Sequence, residues 1–480
     1  MTDLLPVLSP TTQALIRICY GWLLVGTIVW TALPGRWFYR STRFGGYGDS
    51  NTELLENPFA HTLLTGLWLV SAGMLIRGAD TVIFAAINLG ICWYYYVHTR
   101  WSSLLRGMGA PGFFCYWLAA CVFCLEVGRH LDLNGWVLAA TVLVFQVDYA
   151  VIQMCAGSYK SVCGYAGNAG MQLGLANPFW GRFWKLYQHT DPGHPIYRFL
   201  NQSAFRVQIA AGLLMLYPPT RWVGALAIAL SFLFVMTQIR LAFLLPMVMT
   251  AGLLFVPAGS RFDLWLAQFV HQTQAHQSLP VLPSWLAAAM TGFLLTYLAL
   301  LGPAKFCQWY NFLEGRPLAR PWQAFLERWA SAFGIIIWRV FSVDVIDFFV
   351  RVYIVDQHGQ PDEYTGKVDS RNLGRYLHVA ESITLTSVFT AQKYHPQLFE
   401  EKLVRYARTV PCPAGGRVLF AHYAIDYSGK KFEFVHRADY TVEPISGSVE
   451  ATGEGATKAE VSPVRPSVRP GTYLPASGCR

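Results

Sequence analysis

The chain has 480 residues, of which 54% are hydrophobic and 14% charged, and its formal net charge is +9. A soluble protein carries about 25% charged residues, so this composition excludes a soluble globular class and implies an integral membrane protein. The positive balance suits basic loops beside anionic lipid; no basic stripe or nucleic-acid motif accompanies it, so no nucleic-acid partner is expected.

The N-terminal MTDLLPVLSPTTQ lacks a basic leader, and the first apolar run has no small-residue cleavage site, so that run is expected to be retained as a helix. Runs of the length a bilayer needs cover roughly 14–34, 59–77, 81–98, 112–128, 135–157, 205–218, 221–238, 241–257 and 285–302. Only Arg240 divides the seventh from the eighth, so eight or nine spans are expected. The runs lack period-two alternation, which excludes a barrel. Cysteines are scattered, and the Cys121/Cys124 pair falls inside an apolar run, where thiols read as small buried side chains. No zinc constellation is visible, and no metal is expected.

The aromatic, polar loop 35–58 and the segment 158–204 interrupt the apolar runs. In the second, Trp180, Phe183, Trp184 and Tyr187 recur at helical spacing with Arg182 and Lys185 between them, which predicts a helix lying in the membrane interface. The fold class that follows is an all-α polytopic bundle over 1–342 with a small C-terminal α+β extramembrane domain over 343–446. In that domain FFVRVYIVDQHGQ reads as an exposed strand and a turn, HPQLFEEKLVRYARTV as an amphipathic helix, and GRVLFAHYAIDYSGKKFEFVHRADYTVE as two strands around a Ser-Gly turn. Residues 447–480 are polar and rich in Pro and Gly, and are expected to be a disordered tail.

The fifth run carries the clearest chemical signal. Gln146, Gln153 and Lys160 recur every seven residues, drifting only about 20° per step around a helix. Such a stripe faces protein or a cavity, not lipid. Lys160 closes it, beside a glycine-rich stretch that holds Gly164, Gly167, Gly170 and Gly174. Taken alone, a lysine at a helix end is also what an interfacial anchor looks like.

The stretch QVDYAVIQMCAGSYKSVCGYAGNAG resembles the lysine-bearing helix of vitamin K-dependent gamma-glutamyl carboxylases and of the wider bacterial family of horizontally transferred transmembrane domains. IIIWRVFSVDVIDFFVRVYIVDQHG is similar to that family's approach to its extramembrane domain, and RYARTVPCPAGGRVLFAHYAIDYSGKKFEFVHRADYTVE to that domain's helix and paired strands. The resemblance implies an oxygen- and quinol-linked, carboxylase-like lyase in which Lys160 is the catalytic base. It also implies a reduced, vitamin K-like quinone as cofactor, a lipid, peptide or protein as substrate, and a multi-pass location in a bacterial inner membrane. His98 matches a histidine of the preceding helices, and Gln153, Tyr159 and Gly164 become candidate substrate- or cofactor-binding residues. The chain departs from the family pattern at FLFVMTQIRLAFLLPM, which has no histidine, at VDVIDFFVRV, and at VCGY, which replaces a tryptophan turn. The alternative is a non-catalytic membrane protein that binds lipid or docks a partner through its C-terminal domain. For topology, the resemblance puts the Lys160 loop and the C-terminal domain together on the non-cytoplasmic side, whereas the Lys/Arg distribution favours that loop inside.

Overall fold

The structure, a computed structural model, describes residues 6–29, 57–98, 109–130, 135–270, 283–314, 320–336, 346–364, 382–390, 392, 396–408 and 410–452. Helix α1 (Pro10–Thr27) starts where the Ser9 hydroxyl accepts from the Thr12 amide at 3.1 Å, and the Ser9 and Thr12 hydroxyls both donate to Asp263. Helix α2 (Pro58–Arg77) is capped by Asn57 and stopped by Gly78 at φ 84°. Helix α3 (Thr81–Trp93) runs on as a π-helical turn, Tyr94–His98. Then follow α4 (Gly109–His130), α5 (Trp136–Val162), the short α6 (Met171–Ala176) and α7 (Trp184–Tyr187), α8 (Pro195–Leu216), α9 (Arg221–Gln238), α10 (Leu244–Gly252), α11 (Arg261–Ala267), α12 (Ser284–Glu314) and α13 (Arg320–Ala332).

Six stretches among the described residues are long and apolar enough to cross a membrane: Phe59–Arg77, Thr81–His98, Gly112–His130, Trp136–Val162, Pro218–Gln238 and Ser284–Asn311. The expected count of eight or nine is therefore not reached, for three local reasons. The run at 205–218 is the C-terminal part of α8, and the helix residues before it, PIYRFLNQSA, include Arg198, Asn201 and Gln202. The run at 241–257 becomes α10 and a 3-10 turn ending at Phe255; twelve helical residues rise about 18 Å, well short of a hydrocarbon core of about 30 Å. The first run begins with the polar turns of α1, and its residues 30–34 lie outside the described residues. The loop 35–58 also lies outside them, apart from Asn57 and Pro58.

Buried α4 sits centrally, with Phe114, Leu118, Cys121, Val122 and Leu125 packed inside; Cys121 and Cys124 are buried free thiols. Helices α9 and α12 keep Leu226, Leu230, Leu233, Phe293 and Leu295 exposed. An exposed apolar face of that extent suits lipid contact. One group of charges inside the bundle is paired. Arg17 lies 3.4 Å from Glu126, which also accepts from Thr81 and lies 3.3 Å from His130.

Beyond the bundle, a five-stranded antiparallel sheet has the order β2-β1-β3-β4-β5, with β1 Phe348–Val355, β2 Pro361–Glu363, β3 Arg417–Asp426, β4 Glu433–Val442 and β5 Val449–Thr452. The expected amphipathic helix is α15 (Pro396–Ala407), preceded by α14 over 382–390. Together they cover one sheet face: Phe389 packs on Phe348 and Phe420, Tyr406 on Phe420, and Phe399 on Tyr440. Two expectations need correction. Strand β1 is buried rather than exposed: Phe348, Phe349, Val350 and Val352 are buried, and the strand pairs with β3 along its length and with β2 through Tyr353–Val355. The sheet also takes in Val449–Thr452, which the polar composition had assigned to the tail; residues 453–480 lie outside the described residues.

The sheet docks on the segment between α5 and α8. The Asn177 amide donates to the carbonyls of Ile346 at 2.9 Å and Phe348 at 2.8 Å, and the Phe432 amide donates to the Gln188 carbonyl at 3.1 Å. The Trp184 ring packs tilted against Phe434, and Tyr197 meets Phe432 edge-on. The α5–α8 segment and the sheet therefore occupy one end of the bundle. Topology reporters fused after residue 190 and after residue 452 should give same-side signals; opposite-side signals would contradict this docking.

On the covered sheet face His422 lies against the rings of Phe348 and Phe389, and burial, with help from Arg437 and His436, lowers its pKa from 6.5 to about 4. A folded-state histidine pKa below the unfolded value means that the unfolded chain binds the extra proton first. The domain should therefore lose stability as pH falls from about 6.5 to about 4, by up to about 1.4 kcal/mol per pH unit. His422→Phe should flatten that part of the profile, and an unchanged slope in thermal melts would count against the assignment.

Candidate functional site

Helix α5 starts after Gly135 at φ 69° and runs 27 residues, so Lys160 falls in its last turn. All three members of the polar stripe are buried. They do not share one neighbour. The Gln146 amide donates to the Leu254 carbonyl at 2.7 Å, whereas Gln153 and Lys160 turn toward α8. There the Lys160 amine donates to Gln208 Oε1 at 2.8 Å, and Gln208 Nε2 donates to Gln153 Oε1 at 3.3 Å. The Gln208 amide thus bridges both stripe residues from the opposite helix. Sequence reasoning missed it, because one glutamine within AFRVQIAAGLL carries no periodic signal.

Glycines make this crossing close. A Cβ on Gly157 would lie 2.7 Å from the Phe205 carbonyl oxygen and 2.8 Å from Ile209 Cγ1; one on Gly212 would lie 2.3 Å from Met154 Cγ and 2.9 Å from the Ala150 carbonyl oxygen. Small residues on both helices let the backbones approach, as membrane helix pairs do. The close approach brings the two glutamines and the lysine within hydrogen-bonding reach.

Lys160 has a neutral amide for a partner, and no carboxylate pairs with it among the described residues. A second buried lysine of the bundle differs. Lys305 on α12 donates to the Ile336 carbonyl at 2.6 Å and lies within electrostatic reach of Asp148, whose carboxylate accepts from Trp117 Nε1 at 2.9 Å and Tyr297 OH at 3.1 Å.

The glycine-rich stretch after Lys160 is a packing turn. Gly164 adopts φ 113°, its carbonyl accepts from Ala169, and Gly170 passes so close to buried Tyr165 that a Cβ there would sit 2.5 Å from the ring. Helix α8 pins the turn with further amides: Asn201 accepts from the Met171 amide at 2.8 Å and donates to Gln172 at 2.7 Å, while Gln202 donates to the Ala166 carbonyl at 3.1 Å. The expected interfacial helix is absent as a continuous element. Trp180 is buried, Gly181 passes against the Leu175 carbonyl and bridges Ile239, and only Trp184–Tyr187 is helical.

The remaining candidates are dispersed. His98 is exposed and stacks with Trp93 and Tyr94 of its own helix. Tyr159 is buried on the α12 side, its ring 6.3 Å from that of Trp309. Gly164 closes the turn. Gln153 alone joins Lys160, through Gln208. Comparison with family models, with curated proteins and with solved structures returned no match.

Replacing Gln208 by Leu should strand the Lys160 amine and the Gln153 oxygen in the seam, at a cost of about 1–3 kcal/mol per lost partner. Removing the amine as well, in Lys160→Met/Gln208→Leu, should restore part of the loss. Melting of the two single variants and the double variant in detergent measures the coupling; strictly additive losses would mean that the amine and the amide do not interact.

Proposed function

We propose that the protein is a multi-pass membrane enzyme of carboxylase-like chemistry, acting on a lipid or peptide substrate, in which Lys160 is the base. We also propose that the Lys160 end and the sheet face the non-cytoplasmic side of a bacterial inner membrane. The observation that supports this most is the pairing of Lys160 with the Gln208 amide oxygen at 2.8 Å, without a carboxylate partner among the described residues. A neighbouring carboxylate favours the ammonium form, which has no lone pair to receive a proton. An amide oxygen accepts a hydrogen bond from an amine and from an ammonium alike. Gln208 can therefore hold Nζ in place before and after transfer, while Gln153 fixes the Gln208 amide from the other side.

The family likeness also carries a reduced quinone. The three residues that the likeness assigns to it do not meet. Gln153 is engaged with Gln208, Tyr159 lies on the α12 side against Trp309, and Gly164 closes a tight turn, so the three do not line one slot. No step is assigned to a quinone, and the chemistry asked of this chain is to hold Nζ and to accept a proton there.

The second reading, a non-catalytic protein, is favoured by the same seam seen as adhesion. Amide–amide and amide–amine bonds between close-packed helices join membrane bundles without any reaction.

The two readings separate in one assay. The protein, reconstituted in lipid with oxygen, a reduced quinone, labelled bicarbonate and a glutamate-containing peptide, should incorporate label. Lys160→Met and Lys160→Arg should each lower incorporation by about 10²–10⁴-fold, the usual worth of a positioned acid–base group. Absence of incorporation by the wild type, or full activity in Lys160→Arg, would contradict the enzyme reading.

A further inference from the structure

The sheet face not covered by α14 and α15 carries a second constellation, built by an irregularity in β4. His422 of β3 pairs with Ala438, yet the next residue, Tyr423, pairs with His436, which leaves Arg437 as the extra residue of a bulge. Residues three apart in a regular strand point to opposite faces. The bulge turns His436 and Asp439 to the same face, where His436 Nε2 lies 2.7 Å from Asp439 Oδ1. Bulges re-aim side chains in this way and are frequent beside functional sites.

Arg351 of β1 joins them. It pairs with Ala421, which pairs with Asp439, so all three share that face. Its guanidinium carbon lies 5.7 Å from the Tyr423 ring centroid and 6.0 Å from that of Phe349, and the Tyr423 ring lies 5.3 Å from His436. Arg351 is half-buried, yet it makes no hydrogen bond or ion pair with any described residue. No described partner holds its donor groups, in contrast to Arg17 or Arg417, whose partners are carboxylates.

We propose that the part of this sheet face around Arg351 and His436, beyond the docked α5–α8 segment, binds a phosphate group, with Arg351 and His436 as donors, Asp439 fixing the His436 ring, and Tyr423 as the platform beneath the guanidinium. A guanidinium fork alone satisfies the two oxygens of a carboxylate. A phosphate monoester has three, and the second ring nitrogen of His436, which donates when the ring is an imidazolium because Nε2–H is spent on the Asp439 carboxylate, supplies a donor from a second strand. The phosphate has two conceivable sources, a soluble phosphomonoester or a lipid headgroup. The second is favoured by an aromatic strip of Tyr423, Phe349, Phe434 and Trp184, which leads from the site to exposed Phe183 and Leu186 beside α7. The site is independent of Lys160.

The test uses the full chain in phosphatidylcholine nanodiscs, with inorganic phosphate titrated by calorimetry. A second arm measures retention of phosphatidic acid over phosphatidylcholine by native mass spectrometry. Binding in the first arm identifies a soluble source, and binding confined to the second a headgroup; both support the site. Arg351→Gln should weaken binding at least about tenfold, the worth of one charge-assisted hydrogen bond. His436→Glu, at an exposed position that does not test folding, should abolish it. Lys431→Gln should leave it unchanged, and Lys160→Met should too. Unaltered affinity in His436→Glu, or no saturable binding in either arm, overturns the proposal.

Discussion

The close crossing of α5 and α8 is the constraint on which the rest depends. Gly157 and Gly212 remove the side chains that would hold the backbones apart. Only at that separation can Gln208 reach both Gln153 and Lys160. A lysine amine withdrawn from water needs a partner, because an unmade bond to a charged or polar group inside a bundle is expensive. The glycines and the amides are therefore one device: the first makes room, and the second makes the burial tolerable.

The same helix pair sets the geometry of what lies above it. The chain leaving α5 folds back through Gly164, Tyr165 and α6, and Asn201 and Gln202 of α8 hold that turn in place. Asn177, at the end of α6, then receives the sheet by donating to two β1-side carbonyls. Amides on α8 and at the end of α6 thus tie the seam, the turn and the extramembrane sheet into one connected end of the protein. Side-chain amides suit this role, since each satisfies backbone groups that no regular element would reach.

Local pattern carried some of this architecture and non-local contact the rest. The polar stripe, the amphipathic α15 and the hairpin of β3 and β4 were legible, because each depends on periodicity or turn chemistry within one segment. Gln208 was not, because its meaning comes from the helix opposite. Six spans rather than eight or nine are evident among the described residues in part because an apolar window does not register the polar residues that begin α8. Nor does it register the pairing of Gly181 with Ile239, flanked by bonds from Arg182 to Gln238 and from Arg240 to Trp180, which breaks the chain between α9 and α10. The aromatic run at 180–187 had helical spacing, but Gly181 must pass the Leu175 carbonyl, and that contact lies outside any periodic rule. The burial of β1 and the bulge at Arg437 likewise follow from strand register, which a single strand's sequence does not specify.

The central claim is that Lys160 lies inside the seam and does not snorkel to the interface as an anchor. Acylation of the membrane-embedded protein with a water-soluble, membrane-impermeant amine reagent, applied to both sides and quantified lysine by lysine by mass spectrometry, tests it most directly. Exposed Lys185, Lys430 and Lys431 provide the internal standard. The account predicts that Lys160 is protected relative to all three in the wild type, and that protection weakens in Gln208→Leu. Modification of wild-type Lys160 at the rate of Lys185 would contradict it.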